Sequence, residues 1–318
     1  MSDSNLQYDA LTIAKEILAH DICRNMVDFN KKQRRLDYAG LIILSVGLAL
    51  LFARKGEWIF FAGIGVMLAG FIIFCCKWSI RRKFFKEKLV PMMVKAISPS
   101  LKYSPAEGLS RSYVERFKLF GAFDRFHSED QIEGMIGKTA IKISEICLEK
   151  RHRSSNGKDS YHTVFNGVVF IADFNKNFKC RTAVLPDTAE KLFGKLVGNF
   201  FQQMNFSENG KLVKLENVEF EKQFAVYSTD QLEARYILTP QFMERLLAVQ
   251  AAERSRIRVL FENSNIVIAL PRSNNWLEPP LFGAFDKLER LQQTVQEIIS
   301  TVKLVEDLDL NTRIWTKQ

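Results

Sequence analysis

Residues that do chemistry are scarce in this chain. Four histidines and five cysteines are spread over 318 residues. His20, His127, His152 and His162 include no pair at helical four-residue spacing, and none lies in a zinc-protease motif. Cys23, Cys75, Cys76, Cys147 and Cys180 show no paired zinc-type spacing. There is no phosphate-binding loop, no dinucleotide glycine fingerprint and no serine-hydrolase elbow. The cysteine usage excludes a disulfide framework and fits a reducing compartment. Cys75 and Cys76 read as small apolar filler rather than acylation sites. No cofactor and no metal is expected, and no internal repeat or low-complexity segment is evident.

Charge is also missing from two long runs. Tyr38 to Ala53 and Trp58 to Cys76 contain no charged residue, and only Arg54, Lys55, Gly56 and Glu57 separate them. A helix needs about 20 apolar residues to cross hydrocarbon, and the first run is near the lower limit. A helix also satisfies its own backbone groups, which lipid cannot do. The pattern predicts a transmembrane hairpin over 36–78, with spans at about 37–53 and 58–76. The first run begins after a charged, helix-like stretch, and a second follows at once. That order argues against a cleaved signal peptide.

Basic residues in the flanks set the expected orientation. Arg24, Lys31, Lys32, Arg34 and Arg35 precede the first run; Lys77, Arg81, Arg82, Lys83, Lys86 and Lys88 follow the second. The connecting loop holds only Arg54 and Lys55, so both termini are expected in the cytoplasm. Trp58 and Trp78 bracket the second run, where indoles favour the interface, and Arg81, Arg82 and Lys83 are placed at the headgroups. Gly40, Gly47, Gly63, Gly65 and Gly70 are ordinary in a membrane helix, and they would also let two backbones approach closely.

The net charge of +9 is uneven. Residues 1–88 hold 14 basic and 8 acidic residues, and residues 89–318 hold 31 and 28. The excess gathers around the apolar runs, which suits anionic lipid. Near-balance in the remainder argues against the basic stripe that nucleic-acid binding wants.

Beyond the runs, periodicity predicts an α+β protein. Residues 1–35 carry an amphipathic helix over about 5–35, with Leu11, Ala14, Leu18, Ile22, Met26 and Phe29 on one face. A basic juxtamembrane helix is expected over 79–97, broken by Ser98-Pro99-Ser100. Residues 98–318 then form the soluble domain, long enough for a real core. Thr139–Lys150, Tyr161–Phe174 and Phe178–Leu185 read as three antiparallel strands joined by short turns, one at Asn156-Gly157. The hydrophobic phase slips between Ile143 and Ile146, as at a bulge. Pro186-Asp187 opens a helix carrying Leu192 to Met204, and residues 211–227 return to strand. Thr239-Pro240 caps another helix. Residues 256–270 form a hairpin, and 284–307 a long helix with a near-heptad stripe from Leu288 to Val305.

Three groupings carry some chemical promise. Glu129, Asp130 and Glu133 lie together before Gly134, and read as a solvated turn rather than a cation site. Cys147 stands near His152, and Cys180 near His162 if the strands align them; buried, inert thiols are the commoner outcome. Arg151, His152, Arg153 and Lys158 make a basic hairpin tip able to touch a ligand or headgroup, although a solvated turn explains it as well.

Five separate words, in order, resemble the bacterial domain of unknown function 3137 family. They are Glu129 to Gly134, Val164 to Gly167, Phe220 to Tyr227, Glu233 to Pro240, and Leu308 to Trp315. The resemblance spans roughly 110–316. It implies a membrane-tethered bacterial domain without assigned activity, and offers no catalytic residues. The expectation is therefore a multi-pass inner-membrane protein with a cytoplasmic α+β domain, binding or scaffolding rather than catalysing. Its expected partners are the bilayer and an unidentified protein or second copy, with no nucleic acid. The competing expectations are a hydrolase-like enzyme using Glu129, Asp130, Cys147, His152 and His162, and an anionic-headgroup sensor.

Overall fold

A computed structural model describes residues 9–20, 40, 42–43, 45–49, 57–153, 159–174, 176–186, 211–279 and 287–312. Contacts divide the chain into two units, Leu6–Ile97 with Leu277–Glu297, and Ser98–Trp276 with Ile298–Gln318.

The first unit is helical. Helix α1, Ala10–Ala19, starts where the Asp9 carboxylate accepts the Leu11 amide at 3.0 Å. It buries Ala10, Ile13, Ala14 and Ile17. The longer helix expected over 5–35 is described only there. Helix α2, Glu57–Phe84, runs through one π-helical turn, Phe85–Leu89, into α3, Val90–Ile97. The π turn ends two residues before Pro91, whose missing N–H and ring bulk disturb the α ladder one turn earlier. The rod ends at Ile97, just before Ser98-Pro99-Ser100. Helix α1, whose packing partner the periodicity leaves open, packs on α3.

Among the described residues, Phe60–Ile97 is the one helix long and apolar enough to cross a membrane. Its most apolar window has a mean hydropathy of 2.1 and is 17% buried. Among the described residues there is no clear two-helix hairpin. The first apolar run is described only at Gly40, Ile42, Ile43 and residues 45–49, all helical. One close approach is visible: a Cβ at Gly47 would lie 2.8 Å from Met67 Cγ and 3.1 Å from the Gly63 carbonyl oxygen. Gly40 and Gly65 meet nothing within 4 Å.

The second unit is built on a nine-stranded sheet with order β1-β2-β3-β4-β9-β8-β5-β7-β6, every neighbour antiparallel. The strands are β1 Leu101–Ser104, β2 Arg125–Ile136, β3 Thr139–Arg153, β4 Asp159–Asp173, β5 Thr182–Pro186, β6 Lys211–Leu212, β7 Phe224–Ser228, β8 Arg258–Glu262 and β9 Asn265–Pro271. This unit is thus α+β with a large antiparallel sheet, as the periodicity predicts. Its central strands are buried on both faces, which is why they read as continuous apolar runs.

Three local expectations change. The segment around Glu129 is not a turn leading into the first strand but the middle of β2, paired with β3. The strand read after β4 does not join the meander; β5 pairs with β7 and β8, and β4 turns instead to β9. Residues 211–227 hold a two-residue strand, the helix α5 at Val218–Gln223, and the start of β7. Between these elements lie α4, Arg111–Phe117, and α6, Gln231–Ile237. The helix expected after Pro186 and the Asn156-Gly157 turn fall outside the described residues.

Other expectations hold. Helix α7, Pro240–Glu253, has Thr239 as its cap, the hydroxyl accepting the Phe242 amide at 3.3 Å. Strands β8 and β9 turn at Asn263 and Ser264, both at positive φ as a tight hairpin requires. Helix α8, Leu288–Val302, buries Leu291, Val295, Ile298, Ile299 and Val302, and α9, Leu304–Asp307, follows it.

The core has two parts. Phe117, Leu119 and Phe120 pack with Leu148, Phe165, Val169, Leu260 and Val267 on one side. Phe174, Phe178, Phe242 and Phe261 form an edge-to-face cluster, with Phe174 and Phe261 centroids 5.3 Å apart. Two glycines let the backbones close. A Cβ at Gly134 would collide with the Ser100 carbonyl, and one at Gly167 with the Leu270 carbonyl; their φ values are 151° and 152°.

Candidate functional site

The sheet is most polar at an irregularity in β2. Glu129 pairs with Glu145 and Ile132 with Ile143, so Asp130 and Gln131 together oppose Ser144. Two residues against one is a bulge, and Asp130 takes the left-handed conformation at φ 58°. The bulge lies on β2, opposite the point where the sequence shows a phase slip in β3. The 105–109 segment runs alongside: the Asp130 amide donates to the Pro105 carbonyl, the Gln131 amide to the Glu107 carbonyl, and the Leu109 amide to Ser128 Oγ.

This arrangement buries a polar cluster. Tyr103 donates to Asp130 Oδ1 at 2.5 Å, and the Trp276 amide donates to Glu145 Oε1 at 2.9 Å. Ser144 Oγ donates to the Glu129 carbonyl, and Ser128 Oγ to the Glu145 carbonyl. Carboxylate oxygens of Glu129, Asp130 and Glu145 lie within 4.8 Å of one another, and Asp130 is fully buried. Three such oxygens suit a hard divalent cation in type. Protein donors already engage one oxygen each on Asp130 and Glu145, so the cluster is a hydrogen-bonded node of the fold. Glu133, the third acid suggested by sequence, points elsewhere, to Lys142 at 3.1 Å and Gln131 at 3.0 Å. Glu145 was invisible as a partner, because only the pairing register brings it across.

Beside the bulge is an open cleft of about 580 Å³, lined by Tyr113, Arg116, Gln131 and Lys142 among others. Arg116 stacks over Tyr113 at 4.8 Å and Lys142 is paired with Glu133, so the protein itself engages both cations.

The thiols and imidazoles do not assemble. Cys147 stands opposite His127 on β2 and Asn166 on β4, whereas His152 pairs with Ser160. Burial, then Glu149 and Glu145, push the Cys147 thiol up, which disfavours a nucleophilic thiolate. Cys180 precedes β5, while His162 is on β4, which is not its neighbour. Burial raises the Cys180 thiol to about 11. Of Glu129, Asp130, Cys147, His152 and His162, only the first two share a site.

The basic hairpin tip resolves into a two-stranded arm. Strands β3 and β4 continue past the end of β2 at Arg125–Glu149 and past the end of β9 at Gly167–Pro271. Arg151 is held by Asp159, and its amide donates to Asp124 Oδ2 at 2.6 Å. His152 and Arg153 are exposed. Lys158 lies outside the described residues.

Of the residues placed at the membrane interface, Trp58 is 88% exposed and Lys83 is exposed, while Trp78 is half-buried. Arg81 is buried. Arg82 Nε and the buried Lys86 Nζ both reach Glu278 Oε1, at 2.8 and 2.7 Å. Part of the basic charge that follows the apolar run is therefore used within the chain.

Residues 163–310 match the family described as Protein of unknown function (DUF3137). No curated protein matches the chain. Among solved structures, the crystal structure of the mycobacterial trehalose monomycolate transport factor A, TtfA, aligns over 70% of this chain and 93% of its own. The identity is 9% and the TM-score 0.31, too low to carry an argument.

Proposed function

We propose, for a chain whose residues 163–310 make it a member of the DUF3137 family, that it is a membrane-anchored, non-enzymatic binding or scaffolding module of the bacterial inner membrane. The observation that carries this reading is the outward display of Phe60, Phe61, Leu68, Phe71 and Ile72 along α2, each at least half exposed. Water would penalise that surface, and lipid removes the penalty. The close approach at Gly47, Gly63 and Met67 supports a second helix alongside, hence a hairpin. The basic flanks, eleven residues against two in the loop, support cytoplasmic termini. The unassembled thiols and imidazoles favour binding over catalysis.

Two measurements test the reading. In intact cells, a membrane-impermeant maleimide labels Lys55→Cys and leaves Lys158→Cys unlabelled until the cells are permeabilised; the reverse pattern overturns the orientation. Full-length protein in mild detergent, crosslinked and weighed, carries a stoichiometric protein partner or a second copy. A clean, partnerless monomer overturns the scaffolding role.

A further inference from the structure

The open cleft beside the β2 bulge gathers donors from three elements. Ser112, Tyr113 and Arg116 reach it from α4, Gln131 from β2 and Lys142 from β3, with Leu109 beside them. Among the described residues, no carboxylate lines it. Its volume of about 580 Å³ is within the range of small-molecule sites. The bulge re-aims the strand here: with two residues set against Ser144, Asp130 meets Tyr103 and the buried Gln131 borders the cleft.

These donors are held in place without being saturated. Ser110 caps α4, its hydroxyl accepting the Tyr113 amide at 3.3 Å, and Arg181 donates to the Arg116 and Phe117 carbonyls at the other end. Glu115, the one acid of α4, is taken by Arg111 at 2.7 Å. The Arg116 guanidinium sits over the Tyr113 ring at 4.8 Å, and its N–H groups donate to no described residue. Lys142 Nζ and Gln131 Nε2 both approach Glu133 Oε2, at 3.1 and 3.0 Å, which sets the two donors side by side. The side chains of that ion pair are 42% and 37% exposed, so it is weak, and it leaves further ammonium protons unused.

We infer that this cleft binds a small organic phosphate, with Arg116 and Lys142 as its cations, Ser112 and Gln131 as neutral donors, and Leu109 and Tyr113 against the carbon body. Donors on three separate elements suit the three oxygens of a phosphate monoester better than the planar pair of a carboxylate, and the monoester brings a charge of about −2 to two cations. Every lining residue belongs to the Ser98–Trp276 part of the second unit. The inference therefore stands apart from the membrane-anchored reading.

The test is isothermal titration of the full-length protein, in non-ionic detergent at constant ionic strength, with phenyl phosphate and with inorganic phosphate. Phenyl phosphate should bind saturably with a Kd at or below about 1 mM. Inorganic phosphate, lacking the apolar body, should bind about three- to tenfold more weakly. Arg116→Gln should weaken phenyl phosphate about tenfold or more, and Lys142→Gln about three- to tenfold, through lost charge-assisted hydrogen bonds. Lys211→Gln makes the same charge change on β6, at the opposite end of the sheet order, and should leave the affinity unchanged. Ser112→Asp places a carboxylate four residues before Arg116, at an exposed first-turn position where an acid favours the helix. It should abolish binding while the urea midpoint holds. No saturable binding of phenyl phosphate, equal or tighter binding of inorganic phosphate, an affinity unmoved by Arg116→Gln or Ser112→Asp, or a matching loss in Lys211→Gln overturns the inference. The membrane anchor is untouched by any of these results.

Discussion

The rod and the sheet handle apolar side chains in opposite ways. In α2, Phe60, Phe61, Leu68, Phe71 and Ile72 point outward and stay exposed. In β9, Ile266 to Leu270 are all buried, between the cluster around Phe117 and the phenylalanine cluster around Phe261. The sheet supplies its own nonpolar environment, whereas the rod needs one from outside. Polar groups divide the same way. The sheet encloses Tyr103, Asp130 and Glu145 in a hydrogen-bonded node. The rod carries no charge from Trp58 to Cys76, and its cations begin only at Lys77.

The comparison can be broken first in the rod. Each aspartate at the centre of a spanning helix costs about 2.5–3.5 kcal/mol of insertion. Leu68→Asp with Ile72→Asp should therefore empty the membrane fraction of this protein, as followed by immunoblot of pelleted membranes. Unchanged retention would mean that α2 is not in lipid.

In the sheet, the largest loss is expected at Arg181. It pairs with Glu262 at 2.8 Å and also donates to the Arg116 and Phe117 carbonyls, with both side chains mostly buried. Arg181→Ala leaves Glu262 without that partner and should cost about 3–5 kcal/mol in urea unfolding. A loss below 1 kcal/mol would show that water replaces the arginine there. Gly167→Ala should cost about 1–3 kcal/mol, because the added methyl meets the Leu270 carbonyl across the β4–β9 pair. A neutral result would mean that the two strands can part.

Much of this was readable in the residues, and for physical reasons. Thr239-Pro240 carries a cap and a preset first-turn φ, so α7 starts where the sequence says. The apolar rod and its stop at Ser98-Pro99-Ser100 follow from composition alone. Strand β2 was hidden because the bulge at Asp130 and Gln131 interrupts its alternation, and because acids inside a strand resemble a turn. The Glu129–Asp130–Glu145 grouping depends on register, which no local pattern encodes. The placement of β5 beside β8, where Thr182 stands opposite Phe261, 79 positions on in sequence, is equally non-local.

Smaller effects sharpen the contrast. Tyr103→Phe removes a donor from a buried carboxylate and should cost about 1–2 kcal/mol; no change would show that Asp130 is satisfied without it. Burial holds the Cys180 thiol at about 11, above its ordinary 9.0. The native state thus keeps a proton that the unfolded chain releases. Its contribution to stability is complete below pH 9 and declines as pH rises towards 11. Alkylation by iodoacetamide at pH 8 should spare Cys180 until urea unfolds the sheet. Rapid labelling of the folded protein would mean that the strand is open.

The most direct test of the whole account is extraction of membranes with alkaline carbonate from cells making the full-length protein. The account predicts that the chain stays in the pellet and is released only by detergent. Its appearance in the carbonate supernatant as a folded, detergent-free protein would contradict the claim that the exposed apolar face of α2 lies in lipid.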